Sequence, residues 1–487
     1  MPHFRIPARP RRLAWTTLLA LPLGCSPHLK PAASPEPDAT RLSASTRPPV
    51  RAEETFDAVW ETIATKHWDP AHNGADWTAA RAEFRPQVAG CATEAEFRGL
   101  LERMIARLDQ SHFGLIPREI AGGDGEPADA TAGGAEADPG LTLRILDGRL
   151  VVLSVDPDGA AATAGVRPGW AVLSIDGKNL AAGFADALAE IDAAPTERDR
   201  ALRSMLLARR MERPLRSDPG RSRAVAFEDA DGARRVATLV PREPAGDTVK
   251  FGNLPPMRVS VRDRAIGSEE FAAAGVAADN APRVAYVAFP IWMPAAAAPL
   301  DAAIDRYRDY DAIVLDLRGN PGGVGGMVMG FGGHFLREPV SLGTMVGRDA
   351  QLEFRVNPRR STADGRRVEP FAGALAILVD PATASTSEIF AAGMQELGRA
   401  TVVGERTAGA ALPSVAERLP SGDILQYAIA DFKTPQGRSV EGHGVTPDVP
   451  VDLTRESLSE GGDPALGAAL RNLARRLRGN GGSASAS

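Results

Sequence analysis

The stretch from Ala374 to Ala411 constrains the fold more than any other part of the chain. It reads ALAILVD and then PATASTSEIFAAGMQELGRATVVGERTAGAA. The opening run of Ile, Leu and Val predicts a buried strand. Asp380 and Pro381 break it. A helical pattern begins near Ser385, with Ile389, Phe390, Met394 and Leu397 on one side. Strand, sharp turn and helix in this order put Ser385 at a helix start, where free backbone N–H groups and the positive dipole end favour developing negative charge. The same residues also fit a purely structural role, with Ser385 as an N-cap and Glu388 completing a Ser-x-x-Glu capping box.

From Arg283 onward, strands and helices alternate. VAYVAF, a helix through Leu300 to Tyr310, AIVLDLRG, a Gly-rich turn and helix, ALAILVD, a helix, TVVG and ILQYAIADF follow one another. This order predicts an α/β core. Three further blocks stand out: DAIVLDLRGNPGGVGG from Asp311, RSVEGHGVTPDV from Arg438, and LDQSHFGL from Leu108. Together with SxSE and GRAxxxGERTxG, they resemble the S41 serine peptidases, the family of C-terminal processing and tricorn-like proteases. The blocks keep that family's order and span most of the chain. The resemblance implies an α/β catalytic core of the ClpP/crotonase-like type, an N-terminal helical domain and an inserted PDZ domain.

A serine hydroxyl needs a base to take its proton. In the processing-protease branch the base is a Lys, and the aligned position here is Ala410. The chain has five lysines, Lys30, Lys66, Lys178, Lys250 and Lys433, and only Lys433 falls in the core. The usual Ser-Lys dyad is therefore excluded. The tricorn-like branch uses a His that follows a Ser ahead of the PDZ domain, which maps onto Ser111-His112. Neutral imidazole, with an ordinary pKa of about 6.5, suits general-base work. The resemblance thus assigns Ser385 as nucleophile and His112 as base, assisted by Ser111 and Glu441. His443 is the fallback base, and His334 ranks below it. Oxyanion donors are expected from the backbone of Thr386 and of Gly322 or Gly323, where a missing Cβ permits close approach. A phosphate cradle is excluded, because no Gly-Lys-Ser/Thr follows and the glycines do not fit G-x-G-x-x-G.

The chain has 487 residues and a net charge of −6, which gives no electrostatic argument for nucleic acid or an anionic membrane. Arg5, Arg9, Arg11 and Arg12 precede an apolar run from Leu13 to Leu23, the pattern of an export signal over residues 1–24. Cys25 follows Gly24, which points to lipidation of Cys25 and a periplasmic or envelope location; a plain signal peptide with secretion is the alternative. Residues 25–50 read as a flexible tether. With Cys25 lipidated, Cys91 is expected to be buried and unpaired; with Cys25 free, a disulfide between the two is the alternative, though nothing in the sequence supports it.

Residues 51–118 read as the helical domain, with His67, Asp69, His72 and Asp76 in a loop whose spacing fits no metal motif. Residues 119–138 read as a linker. Residues 139–243 resemble a PDZ domain interrupted by an Arg-rich helix, with Gly140, Leu141, Thr142 and Leu143 as the loop that would hold a peptide's C-terminal carboxylate. Trp170 stands where that family has Asp. Residues 244–282 read as an irregular connection, 283–455 as the catalytic core, and 456–487 as a last helix and a disordered tail. The expected function is an exported serine endopeptidase acting on protein or peptide substrates, with no cofactor and no metal. A catalytically inactive PDZ-bearing scaffold and an esterase on the same core are the alternatives.

Overall fold

The computed structural model describes residues 19–20, 49–121, 137–194, 197–216, 220–243, 246–249, 257–277, 279, 281–460 and 462–483. Cys25, the rest of the export pattern and nearly all of the tether lie outside them.

The apolar runs do become buried strands. The main sheet runs in the order Arg262–Ala265, Val284–Ala288, Ala312–Asp316, Ala374–Val379, Ala400–Gly404 and Val449–Pro450. The first pair is antiparallel and the others are parallel. Both faces are covered, so the strands read as continuous apolar runs rather than alternating ones. Ile313, Leu315, Leu375 and Ile377 face the helices Pro294–Arg306, Met327–Gly332 and Thr386–Glu396, with Leu300, Phe331 and Phe390 packed against them. Val314, Ala376, Leu378 and Val403 face the C-terminal helix Pro464–Ser483 through Leu466, Leu470 and Leu473. Arg318 ties that helix to the sheet, bridging Asp316 and Asp463.

Several elements depart from expectation. The segment read as an irregular connection contains a hairpin, Asp247–Val249 with Met257–Val259, and supplies the antiparallel edge strand Arg262–Ala265. Its sequence RDRA carries no apolar pattern, because an edge strand need not be buried on both faces. Val340–Gly347 and Gln351–Val356 form a sheet with Ala430–Lys433 that the sequence reading passed over. The C-terminal helix continues through the GNGGS stretch to Ser483, where a disordered tail was expected. The first core helix spans Pro294–Arg306 rather than Leu300 to Tyr310.

Three helices, Ala52–Lys66, Trp77–Phe84 and Glu94–Ile105, form the N-terminal block. Asp76 caps the second through the Ala79 N–H, and Asp69 holds the Ala71 and Asn73 amides, so these two acids build the loop. Cys91 is half-buried rather than buried, and free. The block is not a separate unit. Its chain continues into the strand Gly114–Ile116, which pairs with Ile424–Ala428 of the core, and its apolar cluster includes Leu412, Leu425 and Tyr427.

Residues 137–243 form their own sheet, ordered Leu141–Leu146, Arg149–Val155, Ala171–Ile175, Arg223–Glu228 and Arg234–Leu239, with helices Ala181–Asp192 and Glu197–Glu212 beside it. Arg144 joins this sheet to the core through a bidentate pair with Glu405. Leu19–Ala20 lies antiparallel against Gly323–Val324 of the core.

Candidate active site

Ser385 lies where the central strand Ala374–Val379 ends and the helix Thr386–Glu396 begins. Asp380 fixes the connection: its carboxylate accepts from the Gly319 and Ala382 N–H groups and from the Thr383 hydroxyl. Ala384 N–H donates to the Asn320 carbonyl, which binds the turn to the neighbouring strand's loop. Ser385 itself adopts φ 55°, ψ −121°, a conformation that L-residues avoid. It is fully buried.

The capping role does not account for this serine. Only one half of a capping box forms: Glu388 accepts from the Ser385 N–H at 3.0 Å, whereas the Ser385 hydroxyl has no hydrogen-bond partner. An unsatisfied buried hydroxyl costs about 1–3 kcal/mol. A residue kept for helix capping would not be left that way. Glu388 has a different task. One of its oxygens accepts from the Gly409 N–H and the Thr407 hydroxyl, the other from the Ala410 and Ser385 N–H groups. It thereby ties the GERTAGA loop to the serine turn. Burial raises its carboxyl to about 7 in spite of these four donors.

The glycine loop meets this turn directly. Asn320 bridges to the Phe289 carbonyl through its amide nitrogen and accepts the Gly322 N–H with its oxygen. A Cβ on Gly322, at φ +104°, would lie 2.7 Å from the Ser385 Cβ and 3.0 Å from the Thr386 nitrogen. The Thr386 hydroxyl donates to the Gly323 carbonyl. The three expected oxyanion residues are thus adjacent to the serine, but the Gly322 N–H is spent on Asn320. Gly323 and Thr386 remain as the candidate donors.

His112 comes from the loop between the third N-terminal helix and the strand Gly114–Ile116. It is buried, at φ 61°. Its Nδ1 lies 2.7 Å from the Ser111 hydroxyl, and that hydroxyl donates to a Glu441 oxygen at 2.8 Å. The other Glu441 oxygen accepts the Ser111 N–H, and the Ala411 N–H donates to the first. Ala411 follows Ala410, whose carbonyl accepts the Ser385 N–H. Ser111, His112 and Glu441 are therefore in one hydrogen-bonded chain that abuts the serine turn. No hydrogen bond joins His112 to Ser385, and the His112 Nε2 and Ser385 Oγ are both buried without a partner. Burial pushes the His112 pKa down to about 4, so its ring is neutral over most of the pH range.

The remaining candidates lie elsewhere. His443 is exposed, its Nδ1 against the Glu441 carbonyl. His334 is buried among aromatic rings with its Nε2 on Asp301. Lys433 pairs with Asp431. Ala410, at the position of the absent Lys, packs with Ala384 and Ala408 in a small apolar cluster. Sequence reasoning missed the roles of Asn320 and Thr407 and saw Glu388 only as a cap; the signal available was their place inside the quoted blocks. Among the described residues, no group of His, Cys, Asp and Glu is arranged to hold a metal ion, and no helix is long and apolar enough to cross a membrane.

A strained serine on a strand-to-helix turn, a glycine loop against it and a neutral histidine nearby define an α/β protein of the serine-hydrolase class. Residues 283–451 match the profile of Peptidase family S41, and residues 48–106 that of the Tricorn protease C1 domain. Residues 283–451 are thus a peptidase core of the S41 family. The chain is 26% identical over 456 residues to tricorn protease homolog 2 of Streptomyces coelicolor, covering 89% of this chain and 33% of that one. It is 27% identical to the chloroplastic carboxyl-terminal-processing peptidase 2 of Arabidopsis thaliana, covering 81% and 68%. A carboxyl-terminal-processing protease of Synechocystis is 33% identical over 155 residues, 32% of this chain and 34% of that one. The chain thus spans only about a third of the first and third of these relatives. The fold is shared with the photosystem II D1 C-terminal processing protease, at a TM-score of 0.52 and 20% identity over 87% of this chain and 97% of that one. It is also shared with mature CPAF, at 0.53 and 13% over 87% and 96%.

Proposed function

We propose that this chain is an exported serine endopeptidase that cleaves protein or peptide substrates through an acyl-enzyme on Ser385. The observation that carries the reading is the pair of unsatisfied buried atoms, Ser385 Oγ and His112 Nε2, with the far side of the imidazole tied through Ser111 to Glu441.

The hydrogen-bond chain fixes the tautomer. A carboxylate only accepts, so the Ser111 O–H points to Glu441. The Ser111 oxygen must then accept from His112, which puts the imidazole proton on Nδ1 and leaves a lone pair on Nε2. That is the form a general base needs. Nε2 takes the Ser385 proton as Oγ attacks the substrate carbonyl, and the Gly323 and Thr386 N–H groups receive the developing oxyanion. Collapse breaks the C–N bond while the imidazolium returns the proton to the departing amine. Water, deprotonated by the same nitrogen, then cleaves the ester and regenerates the hydroxyl.

The Gly323–Val324 edge supports a peptide substrate over a small ester. It accepts an extended segment, Leu19–Ala20, as an antiparallel strand, which is how a peptide's main chain would be gripped. The basic and apolar pattern of residues 5–25 supports export, with Cys25 as the residue that would carry a lipid. Residues 137–243 read as a PDZ-like module that would recruit substrate by its C-terminus.

The test is labelling by a serine-directed fluorophosphonate together with cleavage of an unfolded protein substrate. Ser385→Ala and His112→Ala are each expected to abolish cleavage while circular dichroism stays that of the parent. Full activity in the His112 variant would remove it as the base. Hydrolysis of small esters with no peptide cleaved would make the chain an esterase, and no labelling at all would make it a binding protein.

A further inference from the structure

The strand Leu141–Leu146 is an edge of its sheet, and its N–H groups at Leu141 to Leu143 are the ones a peptide carboxylate would use in the PDZ-like reading on which this inference rests. One of them is taken. The Leu143 N–H donates at 2.7 Å to a Glu212 carboxylate oxygen. Glu212 is the last residue of the helix Glu197–Glu212, which packs along this strand, and it is itself buried.

The apolar part of the groove is filled as well. Leu207, Ala208 and Met211 of the helix share one cluster with Leu141 and Leu143. The charges near Glu212 are of both signs. Asp138 faces Glu212, while Arg216 lies 3.8 Å from its other oxygen and Arg209 adds positive charge on the same helix. Glu212 is buried with a backbone N–H as its closest partner, a costly arrangement unless the site is shaped for a carboxylate.

We propose that the Glu212 side chain is an internal stand-in for a peptide's C-terminal carboxylate. The groove between the strand Leu141–Leu146 and the helix Glu197–Glu212 is closed by the chain itself. It admits peptide C-termini only when the end of this helix is withdrawn. Recruitment through this module is then gated, and the peptidase site works on substrates delivered without it while the gate is shut.

The experiment uses the full chain carrying Ser385→Ala, so that no probe is cut. Fluorescence anisotropy is measured with a dye-labelled heptapeptide ending in valine, as the free acid and as the amide. Adding Glu212→Ala is expected to tighten binding of the acid at least tenfold and to leave the amide unchanged. Glu212→Gln keeps an oxygen for the Leu143 N–H and is expected to bind like the parent. Equal affinity of parent and Glu212→Ala for the acid, with the amide weaker, would overturn the gate and leave the reading of the module intact. No preference for acid over amide in any variant would overturn both. Should the alanine variant fail to fold, hydrogen exchange on the parent decides: the Leu143 amide must exchange as slowly as its ladder-bonded neighbours, and fast exchange there sinks the proposal.

Discussion

Glu441 never needs to touch substrate to control the proposed chemistry, since it acts by deciding where protons sit on Ser111 and His112. Glu441→Gln keeps the shape but puts an N–H₂ in place of one oxygen. In one orientation it opposes the Ser111 N–H; in the other it opposes the Ala411 N–H and donates to the Ser111 hydroxyl, which reverses the chain that holds the proton on Nδ1, and in both the negative charge behind the imidazole is lost. The expected result is a fall in kcat of about 10²–10⁴-fold with KM nearly unchanged, by analogy with wrong-tautomer variants of serine hydrolases. Steady-state kinetics on a fluorogenic peptide checks it.

The His112 pKa makes a second prediction at this scale. The acid limb of kcat/KM should fall near pH 4, not near the ordinary 6.5. The same shift enters stability with a definite sign. Below about 6.5 the unfolded chain takes up a proton that folded His112 refuses, so its contribution is complete above 6.5 and is lost as pH falls to about 4. The loss is on the order of 3 kcal/mol. Glu388 runs the other way: its contribution is complete below 4.5 and is lost as pH rises through about 7. The two partly cancel, so the measurement is the difference in urea-unfolding free energy between parent and His112→Ala across pH 4 to 7.

At the scale of elements, the site depends on two loops meeting. Gly322 has no room for a side chain, since its Cβ would overlap the Ser385 Cβ, and its φ of +104° is strained for any other residue. Gly322→Ala should push the glycine loop away from Thr386 and lower kcat by about 10²–10³-fold, the cost of losing an oxyanion donor. Fluorophosphonate labelling should slow in parallel. Glu388→Ala removes the acceptor for four donors, of which three are backbone N–H groups. With about 1–3 kcal/mol for each buried donor left unsatisfied, the loss should be several kcal/mol and visible as a large fall in Tm.

At the scale of the whole molecule, the proposed nucleophile and base come from regions 273 positions apart (385 minus 112). The N-terminal block is fastened by the strand Gly114–Ile116 and by Arg98, which bridges Asp423 of the core and Glu119. Asp423 is almost fully buried and is also held by the Arg118 N–H. Arg98→Ala should cost about 3–4 kcal/mol, the lower part of the range for breaking a buried pair because Arg118 remains. It should also lower kcat by letting His112 drift, while Ser385 keeps its turn. A parallel loss of stability and kcat, with KM unaffected, is the expected signature.

The sequence by itself determined the parts of this protein whose physics is local. Continuous apolar runs ending in Asp-Pro or Leu-Arg-Gly read as buried strands, and they are the core of the main sheet. The missing Lys at Ala410 was legible as well, since five lysines can be counted. Edge strands such as Arg262–Ala265 and the sheet around Val340–Gly347 were not legible, because pairing with a neighbour, and not their own pattern, makes them strands. Nor could any spacing say that the Asn320 amide holds the Phe289 carbonyl, or that the Glu212 carboxylate sits on the Leu143 N–H. Those outcomes rest on which groups long-range packing brings within 3 Å of each other, and hydrogen bonds of that kind exist only once the chain has closed on itself.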